Sequence, residues 1–209
     1  MAPATVSRQF GLRGPSFETA VVHLRQGTCR IAVVGGVYLS LTPDGLVGFS
    51  QLGAPSATGV RPFDKDADGF VLGEGAGSVV LRPLPDALAD GGRVYAVIKG
   101  IGSANDGASP GPLTPTPEGQ LRAMRRAYAD ARATPSSVGL LEAHGTGTRA
   151  GDRAEAQALR RLHTEYPDDD PALCYLGSAK ALIGHSLPPR TPPRADLSRQ
   201  PPPAGRAHR

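Results

Sequence analysis

Strand-like apolar runs alternate with helix-like segments along most of the chain, and this alternation is what most limits the folds open to it. The run RIAVVGGVYLSL (30–41) is continuously apolar, as buried strands are, and RVYAVIKGIGSAND (93–106) is rich in β-branched residues. Further strands are predicted at 77–84, 138–144 and 172–180. The alternation predicts an α/β layered fold with a mostly parallel, buried sheet.

Helix signals fill the spaces between these strands. The stretches 42–52 and 116–132 each open on a threonine followed by a proline, which suits a helix N-terminus. Residues 85–92 read as a short helical turn closed by glycines, and 151–163 as a longer helix.

The basic charge of the chain is concentrated at its C-terminal end. The last 24 residues carry five arginines and one aspartate, which account for the whole net charge of +4. The rest is neutral, so the sequence does not predict a nucleic-acid surface. Residues 187–209 are rich in proline and arginine and poor in aliphatic residues, so we expect a disordered tail. Such a tail is a polyproline II ligand for an aromatic groove, a linker, or the product of out-of-frame translation.

The location expected from the sequence is the cytoplasm. No apolar run reaches the roughly 18 residues of a membrane span, and the N-terminus lacks the charged-then-apolar order of a secretory signal. Cys29 and Cys174 are the only cysteines, too few for a disulfide framework.

Three apparent metal or cofactor motifs fail on their spacing. The run DKDADGFVLGEG (64–75) begins like a calcium loop but has Gly75 where the twelfth position needs a glutamate. In GEGAGS, Ser78 stands where a dinucleotide fingerprint needs glycine. The histidines and cysteines lack zinc-ligand spacing. We therefore expect neither a metal nor a cofactor in the domain itself.

Two histidines and a lysine follow predicted strands and are the candidate catalytic residues. His144 comes after an apolar strand and precedes the small residues GTGT, while Lys180 and His185 lie in GSAKALIGHS. Ligands of open α/β sheets gather at the carboxyl ends of strands, so these side chains could meet in one pocket.

The quoted histidine segments carry a family resemblance. EAHGTGTRAGDRAEAQAL, GSAKALIGHS and FDKDADGFVLGEGAGSVVLRPLPDAL closely resemble, in order and approximate spacing, the motifs of β-ketoacyl synthases, above all the ketosynthase domains of modular polyketide synthases. The resemblance covers roughly residues 6–186, and we take residues 1–186 as one partial domain. It implies a thiolase-like α/β fold, incomplete at both ends, whose sheet edges and apolar faces are left uncovered.

The resemblance also implies a reaction and its partners. Family members perform a decarboxylative Claisen condensation between an acyl group on an active-site cysteine and a malonyl-type unit on the phosphopantetheine of an acyl carrier protein. By resemblance, His144 and His185 donate hydrogen bonds to the enolate oxygen, and Lys180 supplies positive charge near the decarboxylation site. Relatives are homodimers, an arrangement that the shortened segment described next puts in doubt.

The nucleophile segment of the family is missing. The chain reads GPSFETAVVHLRQGTCRIAVVGG, with Val21 where the cysteine should be and too short a run to the next strand. Cys29 is a poor substitute because it follows a helix end and precedes a strand. Chain-length factors also lose the cysteine, but normally without shortening the helix. We expect a synthase fragment that does not condense; the alternative is a non-catalytic remnant or interaction fragment.

Overall fold

The computed structural model describes residues 20–39, 42–106, 114–167 and 173–186. Within these ranges the chain forms six α-helices and four β-strands, with a 3₁₀ turn at Pro135–Ser137. In chain order they are α1 Ala20–Arg25, β1 Ala32–Tyr38, α2 Pro43–Gln51, β2 Gly75–Leu81, α3 Leu84–Ala89, α4 Pro117–Ala131, β3 Leu140–Glu142, α5 Arg149–Glu165, β4 Tyr175–Gly177 and α6 Lys180–Ile183. The predicted tail at 187–209 lies outside the described residues.

Two separate strand pairs replace the single sheet suggested by the sequence. Strands β1 and β2 pair antiparallel, from Ala32 opposite Leu81 to Tyr38 opposite Gly75. Strands β3 and β4 pair parallel, with Leu140 opposite Tyr175. The mixed α/β character is confirmed, whereas the mostly parallel order holds only for the second of these described pairs.

The β1–β2 pair is largely exposed, and the prediction that 30–41 is a buried strand is wrong for the described structure. Val33 and Val80 are each 64% exposed and Val79 is 57% exposed. Since Val33 is paired with Val80, the exposed side chains belong to one continuous strand pair. This result agrees with the expectation of uncovered apolar faces.

The strand predicted at 93–106 forms no ladder with the other described residues. Its backbone is instead bonded to side chains of α4: the Ile101 N–H donates to Asp130 at 2.8 Å, and Arg126 donates to the Ser103 carbonyl at 2.6 Å. A Cβ added to Gly102 would run into the backbone of α4 at Ala123. The prediction of a strand at 93–106 is therefore wrong for the described structure, where side chains of α4 bond to part of this backbone.

Helix starts follow their sequence signals closely. The Thr42 hydroxyl accepts from the Gly45 N–H, and the Thr116 hydroxyl accepts from the Gly119 N–H, each at 3.3 Å. Each threonine is followed by a proline in the first turn, where the lack of an N–H costs nothing. The predicted strand 172–180 is shorter than expected, because residues from Lys180 onward turn into α6.

The buried core lies between α4 and α5. Leu121, Ala158 and Leu162 have no exposed surface, and Met124 and Tyr128 pack against them. Exposed ion pairs join the same two helices at their rims: Arg161 with Glu118, and Arg125 with Glu165. Apolar burial holds α5 in place, since exposed ion pairs contribute little.

Truncating Leu162 tests this core. We expect Leu162→Ala to lower the free energy of unfolding by about 2–5 kcal/mol, because it leaves a cavity between α4 and α5. Leu182→Ala is the matched control: its side chain is 89% exposed, so the change should stay within about 0.5 kcal/mol. Urea unfolding followed by circular dichroism measures both. Equal effects would contradict this placement of the core.

Candidate active site

The parallel β3–β4 pair brings the candidate residues to one edge. His144 lies two residues beyond the end of β3, and Lys180 lies three residues beyond the end of β4. Because parallel strands end at the same edge, the loops that follow them are neighbours. The rings of His144 and His185 lie 5.5 Å apart between centroids, with their planes at 86°. The structure thus brings together two histidines that are 41 positions apart in the sequence.

The backbone around His185 is fixed by the segment before β2. The His185 N–H donates to the Val71 carbonyl at 2.7 Å, and the Gly73 N–H donates to the His185 carbonyl at 3.2 Å. Gly184 has a φ of 74°, and a Cβ there would lie 3.0 Å from the Gly73 nitrogen. A glycine at 184 allows this close approach and so sets the direction of the imidazole.

His185 is held as a neutral imidazole. Its residue is 8% exposed, and its ring contacts the ring of Phe70 at 5.3 Å and 79°. Burial, together with the nearby charges of His144 and Lys180, lowers the pKa of His185 to about 4. Among the described residues nothing hydrogen-bonds to its buried Nδ1, and an imidazolium would need an acceptor there. At neutral pH the ring can therefore donate one N–H without carrying a charge.

A buried carboxylate of α5 positions the backbone of His144. Glu155 accepts from the His144 N–H at 2.8 Å and from the Gly145 N–H at 2.9 Å. The residue is 9% exposed, so these hydrogen bonds are shielded from water. His144 itself is exposed, which leaves its side chain open to an incoming ligand.

Lys180 begins α6 beside the two rings. It is half-buried, and its charge is one of the causes that lower the pKa of His185. The Ala179 N–H donates to the Glu142 carboxylate at 2.7 Å, which ties the start of α6 to the end of β3. Lys180 thus contributes positive charge at this edge, as the sequence suggested.

Neither cysteine lies at a helix start in the described structure. Cys29 lies in the connection between α1 and β1, and Cys174 directly precedes β4, with its thiol 3.8 Å from the Tyr175 carbonyl. The first turn of α1 contains Val21, where the family cysteine was expected. No thiol of the described residues is therefore placed for activation by a helix N-terminus.

Asp68, in the segment 64–75 that only begins like a calcium loop, has a structural role. The Asp68 carboxylate accepts from the hydroxyls of Ser56 and Thr58, and chiefly the hydrogen bond from Ser56 lowers the pKa of this carboxyl. No group of three or more histidine, cysteine or carboxylate side chains in the described ranges could hold a metal ion.

Comparison with known families identifies the chain. The model of the β-ketoacyl synthase N-terminal domain matches residues 1–87, and that of the β-ketoacyl synthase C-terminal domain matches residues 95–189. The chain belongs to the β-ketoacyl synthase family. The division into a partial synthase domain, 1–186, and a tail, 187–209, stays a prediction.

The similar proteins are polyketide synthases and ketosynthase domains. A phenolphthiocerol/phthiocerol polyketide synthase of Mycobacterium bovis is 47% identical over 190 residues, covering 84% of this chain and 10% of that protein. The pikromycin polyketide synthase component PikAII of Streptomyces venezuelae is 42% identical, over 87% of this chain and 5% of that protein. The ketosynthase from module 6 of the Bacillus subtilis bacillaene synthase superposes with a TM-score of 0.83 at 35% identity. This ketosynthase confirms the thiolase-like fold.

This synthase chain spans only part of its relatives. The match to the bacillaene ketosynthase includes 88% of this chain but only 36% of that ketosynthase. The matches to the two polyketide synthases named above include a tenth or less of those proteins. The mycobacterial match is 190 residues long, yet 84% of 209 residues is about 176. About 14 positions of that match therefore have no counterpart here. None of the helices that the structure describes has the length and apolar character to span a bilayer.

Sequence reasoning on this synthase missed the residues that support the histidines. Phe70, which contacts His185, lies inside the quoted FDKDADGF segment, but no pattern separated it from its neighbours. Asp152 and Glu155 carry no sequence signal beyond acidic side chains near the start of α5. Both are buried and accept backbone N–H groups from the loops. The spacing of these two residues in the sequence does not predict their hydrogen bonds to the loops, because such contacts depend on tertiary structure.

The lowered pKa of His185 predicts a step in stability with pH. Below about pH 6.5 this histidine is protonated in the unfolded chain, whereas in the folded chain His185 stays neutral down to about pH 4. The contribution of His185 to the free energy of unfolding is therefore complete above pH 6.5. It is lost as the pH falls from 6.5 to 4, by at most about 3 kcal/mol. Urea unfolding at half-unit pH intervals measures it.

Variants assign this step to one ring. His185→Gln should remove the step, while His163→Gln, at an exposed histidine of α5, should keep it. Five carboxyl groups have pKa values lowered by their hydrogen bonds and so titrate below most of this window: Asp68, Asp90, Glu118, Asp130 and Glu165. A step that persists in His185→Gln would contradict the neutral, buried ring.

Proposed function

We propose that this chain keeps the decarboxylation half of the β-ketoacyl synthase reaction and lacks the condensation half. The observation that carries the proposal is the contact between the rings of His144 and His185, 5.5 Å apart, with His185 held neutral by burial. The neutral ring of His185 and the exposed ring of His144 can each present an N–H donor to one oxygen. This is the charge pattern that an enolate requires.

The substrate in this proposal is a malonyl-type thioester on the phosphopantetheine of an acyl carrier protein. The bond between its α-carbon and its carboxylate breaks, carbon dioxide leaves, and the electron pair forms an enolate on the thioester. The N–H groups of His144 and His185 stabilise the enolate oxygen, and Lys180 provides positive charge at the same edge. Protonation of the α-carbon by water then gives the acyl thioester. No cofactor is needed in the domain.

The condensation half requires an electrophile that this chain does not carry. Condensation begins with an acyl group on a thiolate, which a helix N-terminus commonly activates. Val21 stands in the first turn of α1, and Cys29 lies after that helix ends.

A second candidate is a non-catalytic interaction fragment. The exposed valines of the β1–β2 pair favour it, because apolar strand faces of this kind mark contact surfaces. In both proposals the location is the cytoplasm, which the two free cysteines support. Homodimerisation, the arrangement of relatives, stays doubtful for this shortened chain.

Acyl transfer to the protein tests the loss of condensation. We expect no stable label on the full chain after incubation with a radiolabelled acyl thioester, because neither described cysteine lies at a helix start. Cys29→Ala and Cys174→Ala serve to locate any label that does form. A stoichiometric thioester that disappears in one of them would show that the chain has a working nucleophile.

Release of carbon dioxide tests whether the chain keeps the decarboxylation half of the reaction. With a carrier protein bearing malonyl labelled at the free carboxylate, we expect slow release by the full chain. His144→Ala and His185→Ala should each lower the rate about a hundredfold, the cost of one lost donor of about 3 kcal/mol. His163→Ala is the control at an exposed histidine of α5 and should leave the rate unchanged. Release no faster than the blank would favour the interaction fragment.

A further inference from the structure

Asp152 joins two loops that are far apart in the sequence. Its carboxylate is in a residue only 6% exposed, and it accepts from the Phe63 N–H at 2.7 Å and from the Gly147 N–H at 3.2 Å. Phe63 belongs to the segment before β2, whereas Gly147 belongs to the loop after β3. One side chain of α5 therefore fixes the backbone of both segments.

The Phe63 end of this connection is strained. Phe63 has a φ of 61°, in the left-handed region that a bulky residue seldom adopts. A residue held in this region is strained and persists only where its surroundings determine it. The Asp152 carboxylate is the group that receives the Phe63 N–H, so it stabilises the strained turn directly.

A second contact holds the same two segments together. The Gly69 N–H donates to the Gly147 carbonyl at 2.9 Å. Gly147 has a φ of 77°, and a Cβ there would lie 2.6 Å from the Gly69 carbonyl oxygen. The two backbones therefore touch, and any shift of one segment at Asp152 is transmitted to the other.

Each of the two joined segments carries a ring that contacts the ring of His185. The residue after Gly69 is Phe70, whose ring meets the His185 ring at 5.3 Å. The other loop starts at His144, whose ring meets it at 5.5 Å. Both contacts are edge-to-face, at 79° and 86°. His185 thus contacts two rings whose backbone segments are connected through Asp152.

We propose that Asp152 is a positioning residue that holds Phe70 and His144 against the imidazole of His185 by fixing the strained turn at Phe63 to the loop at Gly147. The catalytic consequence of this role rests on the proposed decarboxylation, but the positioning itself does not. Glu155 fixes only the His144 side, through the N–H groups of His144 and Gly145. Asp152 is the carboxylate of α5 that reaches both loops.

Asp152→Asn is the direct test. The asparagine keeps one carbonyl oxygen, but its amide nitrogen cannot accept from the second backbone N–H. We expect the loops to separate, water to reach His185, and the pKa of that ring to rise by about one unit or more from its starting value of about 4. The titration is followed on the full chain by NMR of the imidazole, with His144 and Lys180 as the charged groups facing the ring.

Two further variants separate positioning from general loss of structure. Glu165→Gln removes a carboxylate at the other end of α5, where it pairs with Arg125 on the surface, and should leave the His185 titration unchanged. Phe63→Gly added to Asp152→Asn should restore part of the lowered pKa, because glycine adopts the left-handed turn without strain. Circular dichroism checks that each variant keeps its helices.

The outcomes are distinct. A His185 titration in Asp152→Asn that matches the unmodified chain would overturn the positioning role, and so would a double variant that shows no recovery. If the unmodified chain releases no carbon dioxide while the titration shifts as expected, the proposed function fails and the positioning stands. If both hold, the release rate should fall in Asp152→Asn and recover in part in the double variant.

Discussion

The site depends on buried carboxylates that accept backbone N–H groups. Glu155 and Asp152 project from the first turns of α5, and together they fix His144, Gly145, Gly147 and Phe63. Charge-assisted hydrogen bonds of this kind are strong when they are shielded from water, and leaving the backbone groups unsatisfied would be costly. The packing of α5 on α4 through Leu121, Ala158 and Leu162 therefore determines where these carboxylates meet the loops of His144 and Phe63.

The chemistry of the site follows from keeping one imidazole uncharged. His185 contacts the rings of Phe70 and His144, and its burial together with the nearby charges lowers its pKa to about 4. A neutral ring donates a hydrogen bond without losing a proton, which suits stabilisation of an enolate better than acid catalysis does. The same surroundings contain no described thiol at a helix start, which is why the proposed reaction stops at decarboxylation.

Local signals predicted the parts of the fold that local chemistry determines. The caps at Thr42 and Thr116 and the helix at 151–163 follow from residue types and spacing, and the structure confirms them. The family motifs gave His144, Lys180 and His185 by resemblance, and parallel pairing of β3 with β4 explains why they meet. Strand pairing was harder to predict. The β-branched run at 93–106 predicts a strand, but in the structure side chains of α4 bond to its backbone and it pairs with no other described strand. Phe70 and Asp152 escaped notice because their contacts join segments far apart in the chain.

The most direct test of this account is the through-space NMR contact between the ring protons of His144 and His185 in the full chain at neutral pH. With ring centroids 5.5 Å apart at 86°, the account predicts cross-peaks between these two rings and between the rings of His185 and Phe70. If His185 gives contacts to neither ring in a chain that keeps its helices, the histidines do not share a site, and the assignment of a decarboxylation centre is wrong.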